Sequence, residues 1–231
     1  MGEWDAPHLT SCDEDIMPLV DMCNIACGGH AGSKRIIQTT IDLANANNVK
    51  VGAHPSFEDR PNFGRKYISI SQIKLKRSLT QQLELFLSIC YAQSINAFHV
   101  KAHGALYHAC NQNKKEAETL VSVILKLCPD ILVLVAPDSK LEKIARSEGI
   151  KTMTESFIDR KYNDDLTLVS RTNPESVIQD IKEAKKQYEA LCAGKIITKS
   201  GEVKILNTST VCIHGDNPQC VKILKSIRSN G

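Results

Sequence analysis

Short apolar runs and longer amphipathic segments alternate along most of the chain. Runs of strand length cover residues 21–27, 49–53, 97–102, 131–136, 150–154, 203–206 and 209–213. Segments with helical spacing of apolar residues lie after Ser33 and at 71–93, 114–128, 139–148, 174–192 and 217–228. This alternation predicts an α/β fold in which helices cover a parallel sheet, built either as a barrel or as a doubly wound sheet.

The amphipathic segments carry signals of helix boundaries. Ser33 stands where an N-cap is expected, and Gly149 follows the 139–148 helix as a terminating residue. Residues 156–171 and 194–201 have no helical or strand period, so we expect irregular structure and a turn there. The spacing in the 71–93 helix predicts a buried side that consists of Ile73, Leu79, Leu83, Phe86, Leu87 and Cys90.

One strand, FHVKAHGALY at 98–107, brings three polar side chains to one place. Side chains alternate between the two faces of a strand, so His99, Lys101 and His103 share a face. Gly104 then allows the chain to turn into a helix. An exposed edge strand with solvated histidines explains these residues equally well when they are considered alone.

Histidines recur where other strands end, and this repetition favours a functional site. Parallel α/β folds place their sites at the carboxyl ends of the strands. Each histidine taken singly is more often structural, but several at strand ends indicate a shared site. The polar residues at these ends are Asn24, His30, His54, His99, Lys101, His103, Glu155, Asp159, Arg160, His214 and Asp216.

Length, charge and cysteine usage narrow the class of protein. The 231 residues contain no low-complexity run or fixed-period repeat, so we expect one domain over residues 1–231. The net charge of +3 is spread over helices where lysines and acids mix, which argues against nucleic-acid binding. Nine cysteines without a C-x-x-C pair indicate reduced thiols and a cytoplasmic protein. No apolar run is long enough for a membrane span.

The turn GGHAGSK at 28–34 suggests a phosphate loop but has the wrong order. A phosphate-binding loop ends in Gly-Lys-Ser or Gly-Lys-Thr, whereas here Gly32 is followed by Ser33 and then Lys34. The turn therefore predicts no nucleotide site, although the N-terminus of the following helix can still attract an anion.

Two kinds of chemistry fit the polar residues. Histidines and acids are typical zinc ligands. Lys101 argues against a metal beside His103, because an ammonium group repels a cation. We therefore favour a site for an anionic substrate, bound by Lys101, Arg160 and Arg171, with histidine and carboxylate for proton transfer.

Several long segments together resemble a known family. They are NIACGGHAG at 24–32, VGAHPSFEDRPNFGR at 51–65, HVKAHGALY at 99–107, ESFIDRKY at 155–162, LVSR at 168–171 and TVCIHGD at 210–216. In this order, over nearly the whole chain, they resemble the LamB/YcsF family, whose bacterial members are A subunits of ATP-dependent 5-oxoprolinase. A small departure is Ala102, where relatives often have proline.

The resemblance implies a fold and an activity. The implied fold is an irregular seven-stranded (β/α) barrel of the glycoside hydrolase/deacetylase type. The implied activity is hydrolysis of a cyclic amide, namely the conversion of 5-oxo-L-proline to L-glutamate with ATP and Mg²⁺, together with two partner subunits. The sequence does not indicate which of the subunits binds ATP.

The N-terminus departs from the family pattern. Members begin with a strand that ends roughly in D-x-N-x-D-x-G-E, and here only Gly2 and Glu3 match it. We therefore expect the first strand to be missing. We also expect the strand at 22–27 either to be covered by sequence upstream of Met1 or to pair with a second copy in a homodimer.

The family activity assigns roles to the candidate residues. We expect Lys101 and Arg160 to bind carboxylate or phosphoryl oxygens, and His54 or His103 to deprotonate water with Asp159 orienting that base. The expected substrate-binding residues are Asn24, His30, His99, Glu155, Arg160, Arg171, His214 and Asp216.

Two alternatives remain open. The first is a metal-dependent, deacetylase-like hydrolase with His30 and His54 among its ligands. The second is a non-catalytic binding subunit, which the missing first strand favours.

Overall fold

The computed structural model describes residues 1–3 and 13–228. The helices are α1 (Asp13–Ile16), α2 (Lys34–Ala46), α3 (Gln72–Ala92), α4 (Gly104–Gln112), α5 (Lys114–Leu127), α6 (Lys140–Ser147), α7 (Ile181–Cys192) and α8 (Cys220–Arg228). The strands are β1 (Met22–Ala26), β2 (Lys50–His54), β3 (His99–Val100), β4 (Leu132–Val135), β5 (Thr152–Phe157), β6 (Lys195–Ile197), β7 (Val203–Ile205) and β8 (Thr210–Cys212). This is the α/β fold that the hydrophobic pattern predicts.

Two compact units divide these residues. The first contains residues 1–3 and 20–153, and the second contains residues 13–19 and 154–228. The single domain expected over residues 1–231 stays a prediction.

The first unit contains a parallel sheet with the strand order β1-β2-β3-β4. Strand β3 has only two residues, but its ladder continues, because Lys101 N–H donates to Ala53 O at 2.9 Å and His103 N–H donates to Pro55 O at 2.8 Å. The strand predicted at 97–102 is thus shorter, yet its polar residues lie directly along β2.

Helices α2 to α6 cover this sheet with apolar side chains. Ser33 caps α2 as predicted, since its hydroxyl accepts from Ile36 N–H at 3.4 Å. Leu79, Leu83, Phe86 and Cys90 of α3 are buried as predicted. The expectation for Ile73 was wrong: its side chain is 83% exposed, because at 100° per residue it lies on the face of α3 opposite Leu75 and Leu79, together with exposed Tyr91.

Residues 1–3 lie along the outer edge of β1. The Met1 amino group donates to Asn24 O at 3.0 Å, and Ala26 N–H donates to Met1 O at 3.1 Å. At these two positions the edge of β1 is therefore satisfied by the chain itself. The seven-strand count, the missing first strand and the homodimer across this edge stay predictions.

The second unit pairs β5 with β8 in parallel and β6 with β7 in an antiparallel hairpin. Strand β6 occupies part of the stretch that we expected to be a turn. The helix expected at 174–192 is also corrected, because Pro174–Ser176 forms a separate 3-10 turn and α7 begins after its N-cap, Asp180. Glu155 lies within β5 and not after it.

No disulfide bond joins the cysteines in the described ranges 1–3 and 13–228. Within the same ranges, no helix combines the length and apolarity that crossing a membrane requires.

Candidate functional site

Three histidines and one acid converge at the carboxyl ends of β1, β2 and β3 in the first unit. His30 lies in the turn after β1, His54 is the last residue of β2, and His103 follows β3. Glu3 reaches them from the edge of β1. We call Glu3, His30, His54 and His103 the histidine cluster.

His30 connects the acid to the other rings. Its Nε2 lies 3.0 Å from Glu3 Oε1, and its ring stacks on that of His103 with centroids 3.7 Å apart and planes 6° from parallel. The side chain of His30 is buried, and its Nδ1 has no hydrogen-bond partner among the residues that the structure describes. The ring is therefore fixed by packing and by one charge-assisted bond.

His54 and His103 form a chain of hydrogen bonds between two carbonyl groups. His54 Nδ1 lies 2.7 Å from Lys101 O, and His103 Nε2 lies 2.9 Å from Phe63 O. Carbonyl oxygens only accept, so both of these nitrogens carry hydrogen. The remaining two, His54 Nε2 and His103 Nδ1, face each other at 3.1 Å. They attract each other only when a proton or another cation lies between them.

Burial disfavours charge on the histidines of the cluster. Desolvation, reinforced by the neighbouring imidazoles, holds the pKa of His54 and the pKa of His103 well below the usual range. Burial alone would raise the pKa of Glu3, but the Met1 ammonium and His30 outweigh it and lower that pKa to about 2. Glu3 is therefore the anion of the cluster.

A glycine in the loop after β2 lets two of the rings approach each other. Gly64 has a φ of +63°, and a side-chain carbon there would lie 2.9 Å from His30 Cβ and 3.0 Å from His103 Cδ2. Its carbonyl oxygen also accepts from Ala105 N–H at 2.9 Å, which positions the start of α4. The segment NFGR at 62–65 therefore allows the two rings to pack and positions the first turn of α4.

The polar residues predicted to share a face of β3 are buried. Lys101 Nζ lies 5.8 Å from the centre of the Tyr107 ring. His99 Nε2 lies 2.8 Å from Asn24 Oδ1, so that two predicted binding residues hold each other. Burial and the Lys101 ammonium lower the pKa of His99 to about 3, and its ring is therefore neutral.

The second unit holds a separate acid–histidine pair. Asp159 Oδ1 lies 2.9 Å from His214 Nδ1, while Asp159 Oδ2 accepts from His214 N–H at 3.1 Å and from Asn217 Nδ2 at 3.3 Å. Asp159 is fully buried, which would raise its pKa, but the His214 contacts lower it overall. The base expected beside Asp159 was His54 or His103, whereas the histidine bonded to it is His214.

Two other candidates of this unit, Arg160 and Arg171, are bonded to neighbouring groups of the protein. Arg160 is buried, with its Nε and Nη2 donating to Ser176 O at 3.2 Å and Val169 O at 2.5 Å. Arg171 forms a two-point ion pair with Asp216, at 2.9 and 3.4 Å. Glu155 is buried in β5, opposite Thr210 of β8. Their predicted contacts with substrate stay predictions.

Glu3 is the member of the cluster that the sequence did not single out. Its signal was the Gly2-Glu3 pair that matches the end of the family's first strand. No sequence pattern identifies its partner, because His30 lies 27 positions away.

A cavity of about 460 Å³ opens beside the glycine turn of the first unit. Its lining mixes a carboxylate, a guanidinium and two amides, and consists of Cys27, Gly28, Gly29, Glu58, Arg60, Gln81, Gln82 and Leu85. The Arg60 guanidinium donates to Gly32 O, which fixes the glycine turn at 28–34.

The chain matches the LamB/YcsF family over residues 1–230. It is 35% identical over 229 residues to a protein of Natranaerobius thermophilus that is named as the A subunit of 5-oxoprolinase, covering 99% of this chain and 89% of that one. Proteins of the same name from Pyrococcus abyssi and Ruegeria pomeroyi are 34% and 36% identical, with 99% of this chain and 90% and 91% of theirs covered. The crystal structure of a lactam utilization protein from Thermus thermophilus superposes with a TM-score of 0.87 at 30% identity, over 95% of this chain and 89% of that one.

Proposed function

Because this chain belongs to the LamB/YcsF family, we propose that it is the A subunit of an ATP-dependent 5-oxoprolinase. In this role it opens the lactam ring of 5-oxo-L-proline to give L-glutamate. The observation that carries the proposal is the end-to-end similarity to relatives of that name, covering 99% of the chain. The buried, polar ends of the strands supply groups for such a reaction.

The chemical problem is the stability of the amide. Resonance makes the lactam carbon a poor electrophile, and transfer of a phosphoryl group from ATP to the amide oxygen removes that resonance. Water then adds to the carbon, the C–N bond breaks, and hydrolysis of the resulting acyl phosphate by a second water releases inorganic phosphate and L-glutamate. Lys101, whose side chain is buried beside Tyr107, is proposed to bind the carboxylate or the phosphoryl oxygens.

The proposed activity requires other proteins. The relatives are named as subunits, which supports a complex, and we propose two partner subunits, with Mg-ATP bound within the assembly. We propose a cytoplasmic location, which fits cysteines that form no disulfide in residues 13–228, since a reducing compartment keeps thiols reduced.

Reconstitution tests this function. The isolated chain is expected to convert 5-oxoproline negligibly, and the chain with both partner subunits and Mg-ATP is expected to release glutamate. Omission of any single component serves as the control. Robust ATP-dependent ring opening by the isolated chain would show that the partner subunits are not required. Inactivity of the full mixture would reject the proposed function.

A metal-dependent hydrolase is the second candidate, and one cluster favours it. Ligand atoms of Glu3, His30 and His103 lie within 4.8 Å of one another, and His54 presents a nitrogen to His103. These donors suit Zn²⁺, which would polarise a carbonyl group or activate water. The parallel stacking of His30 on His103 fits less well, because one ion cannot lie in both ring planes. Elemental analysis of an active preparation decides: a stoichiometric divalent ion supports this candidate, and its absence removes it.

A further inference from the structure

Strand register places an acid and a histidine side by side in the second unit. Phe157 of β5 is opposite Cys212 of β8, and the ladder continues with Ile158 N–H donating to Cys212 O at 3.0 Å. Asp159 and His214 each stand two residues beyond this matched pair. Their contact is therefore a consequence of the sheet and needs no flexible loop to form it.

The bonds around Asp159 determine which nitrogen of His214 carries hydrogen. An ionised carboxylate only accepts, so His214 Nδ1, at 2.9 Å from Asp159 Oδ1, must be the donor. The other oxygen of Asp159 is occupied by His214 N–H and by Asn217, which is itself anchored on Ile178 O at 2.9 Å. The neutral ring consequently has its lone pair on Nε2.

Nε2 of His214 remains available for chemistry. It has no hydrogen-bond partner in residues 1–3 and 13–228, and the side chain is 26% exposed. The ring is held in place by stacking on Phe157, with centroids 5.3 Å apart and planes 15° from parallel. An acid that fixes the tautomer, a rigid ring and an open nitrogen are the features of a general base.

The other buried histidines lack this combination. His54 and His103 each donate through one ring nitrogen to a carbonyl group, and their other nitrogens point at each other, 3.1 Å apart. His30 and His99 use Nε2 for Glu3 and Asn24, and their Nδ1 atoms are buried. The nitrogens that could accept a proton therefore face a neighbouring ring or are buried, and their surroundings would have to open before they could take a proton from water.

We propose that His214 is the general base of the lactam-opening reaction, with Asp159 as its positioning residue. This assignment rests on the proposed function. An O–H bond of water breaks as its oxygen bonds to the lactam carbon, and the proton moves to His214 Nε2. When the C–N bond breaks, the same proton passes to the ring nitrogen, which becomes the amine, and the imidazole is neutral again. The acyl phosphate that remains is hydrolysed by a second water, which releases inorganic phosphate and completes the carboxylate of glutamate.

The first test uses variants in the reconstituted complex. H214N keeps an amide donor near Asp159 but has no atom at Nε2, so kcat is expected to fall roughly a hundred- to ten-thousandfold, with little change in KM or in melting temperature. H108N is the matched control at an exposed histidine of α4, and it should behave like wild type. If H214N does not fold, H214Q replaces it as the test variant, with the same expected loss of kcat.

Imidazole rescue separates chemistry from packing. H214A leaves a space beside Phe157 and Asp159, and added imidazole is expected to restore activity in a saturable way. An H214N complex within threefold of wild type, or an H214A complex that imidazole does not rescue, would overturn the assignment while leaving the function intact. A wild-type complex without activity would overturn both.

Nitrogen-15 spectra of the isolated chain test the positioning role without any assay. Wild type should show hydrogen on Nδ1 of His214. In D159N the amide oxygen should stay with the donors His214 N–H and Asn217, so that its NH₂ group faces His214 Nδ1 and moves the hydrogen to Nε2. Hydrogen on Nε2 in the wild type, or no change in D159N, would contradict the proposed role of Asp159.

Discussion

Glu3 is a carboxylate that remains charged although its side chain is buried. Its pKa is lowered to about 2 by the Met1 ammonium and by His30, which together outweigh its burial. Since the folded chain holds this acid below its ordinary pKa of 4.5, Glu3 stabilises the fold at neutral pH. That contribution is complete above about pH 4.5 and disappears as the pH falls through about 2.

We therefore expect E3Q to lower the free energy of unfolding by about 1–3 kcal/mol at pH 7, with a difference from wild type that shrinks toward pH 2. Urea unfolding at several pH values measures this. E118Q, at a half-exposed acid in a surface ion pair, is the control and should change little. A pH-independent loss in E3Q would show that shape and not charge matters at this position.

Lys101 allows the binding role of a single charge to be tested. Its stem and ammonium are buried, so K101M keeps most of the packing and removes the charge. Loss of one charge-assisted contact with an anionic group is worth about 1.5–3 kcal/mol, and we expect kcat/KM of the complex to fall roughly ten- to a hundredfold with nearly unchanged stability.

Glutamate assays and thermal melts of K101M measure the two effects separately. K115M, on the exposed start of α5, is the matched control. Unchanged kinetics in K101M would show that the charge of Lys101 does not contribute to substrate binding.

At the scale of elements, strand β2 is shaped to receive the ring of His99. A side-chain carbon at Gly52 would lie 2.2–2.3 Å from three atoms of that ring, so only glycine fits opposite it. The pairing of Gly52 with His99 across β2 and β3 thus positions the His99–Asn24 contact.

We expect G52A to destabilise the chain by about 1–3 kcal/mol, because the ring or the strand must shift. G215A is the control, since a carbon there meets Ile16 Cδ1 only at 3.7 Å. Chemical unfolding of both variants gives the comparison, and equal stability of the two would contradict this account of β2.

The sequence predicted the helices and most of the strands because their hydrophobic periods are local. It was wrong in detail at two helices. Ile73 is apolar but lies on the face of α3 opposite the buried residues, and residues 174–180 form a 3-10 turn and the N-cap of α7 and not the start of a helix. Strand β6 was missed because its partner, β7, lies beyond a turn, and the glycines at 194 and 201 are typical of a turn without any strand.

The sequence predicted which residues belong to the candidate site better than it predicted which of them contact one another. Strand ends marked His30, His54, His103 and His214, since the carboxyl edge of a sheet is a local consequence of strand direction. Which acid contacts which histidine depends on register across 27 to 55 residues, and single-sequence patterns carry no such information. The Asp159–His214 pair and the role of Glu3 could therefore be identified only from the three-dimensional structure.

At the scale of the whole molecule, the proposed activity rests first on family membership. The relatives named as A subunits of 5-oxoprolinase match 99% of the chain. The first unit presents Lys101 and a neutral, buried group of histidines, and the second presents a carboxylate-oriented histidine. The central claim is that this chain itself holds the lactam.

Calorimetric titration of the isolated chain with 5-oxoproline tests that claim most directly. We predict saturable binding without ATP, at least roughly tenfold weaker in K101M, unchanged in H108N, and absent with L-proline, which lacks the lactam carbonyl. Saturable binding of 5-oxoproline by the partner subunits, with none by this chain, would contradict the account.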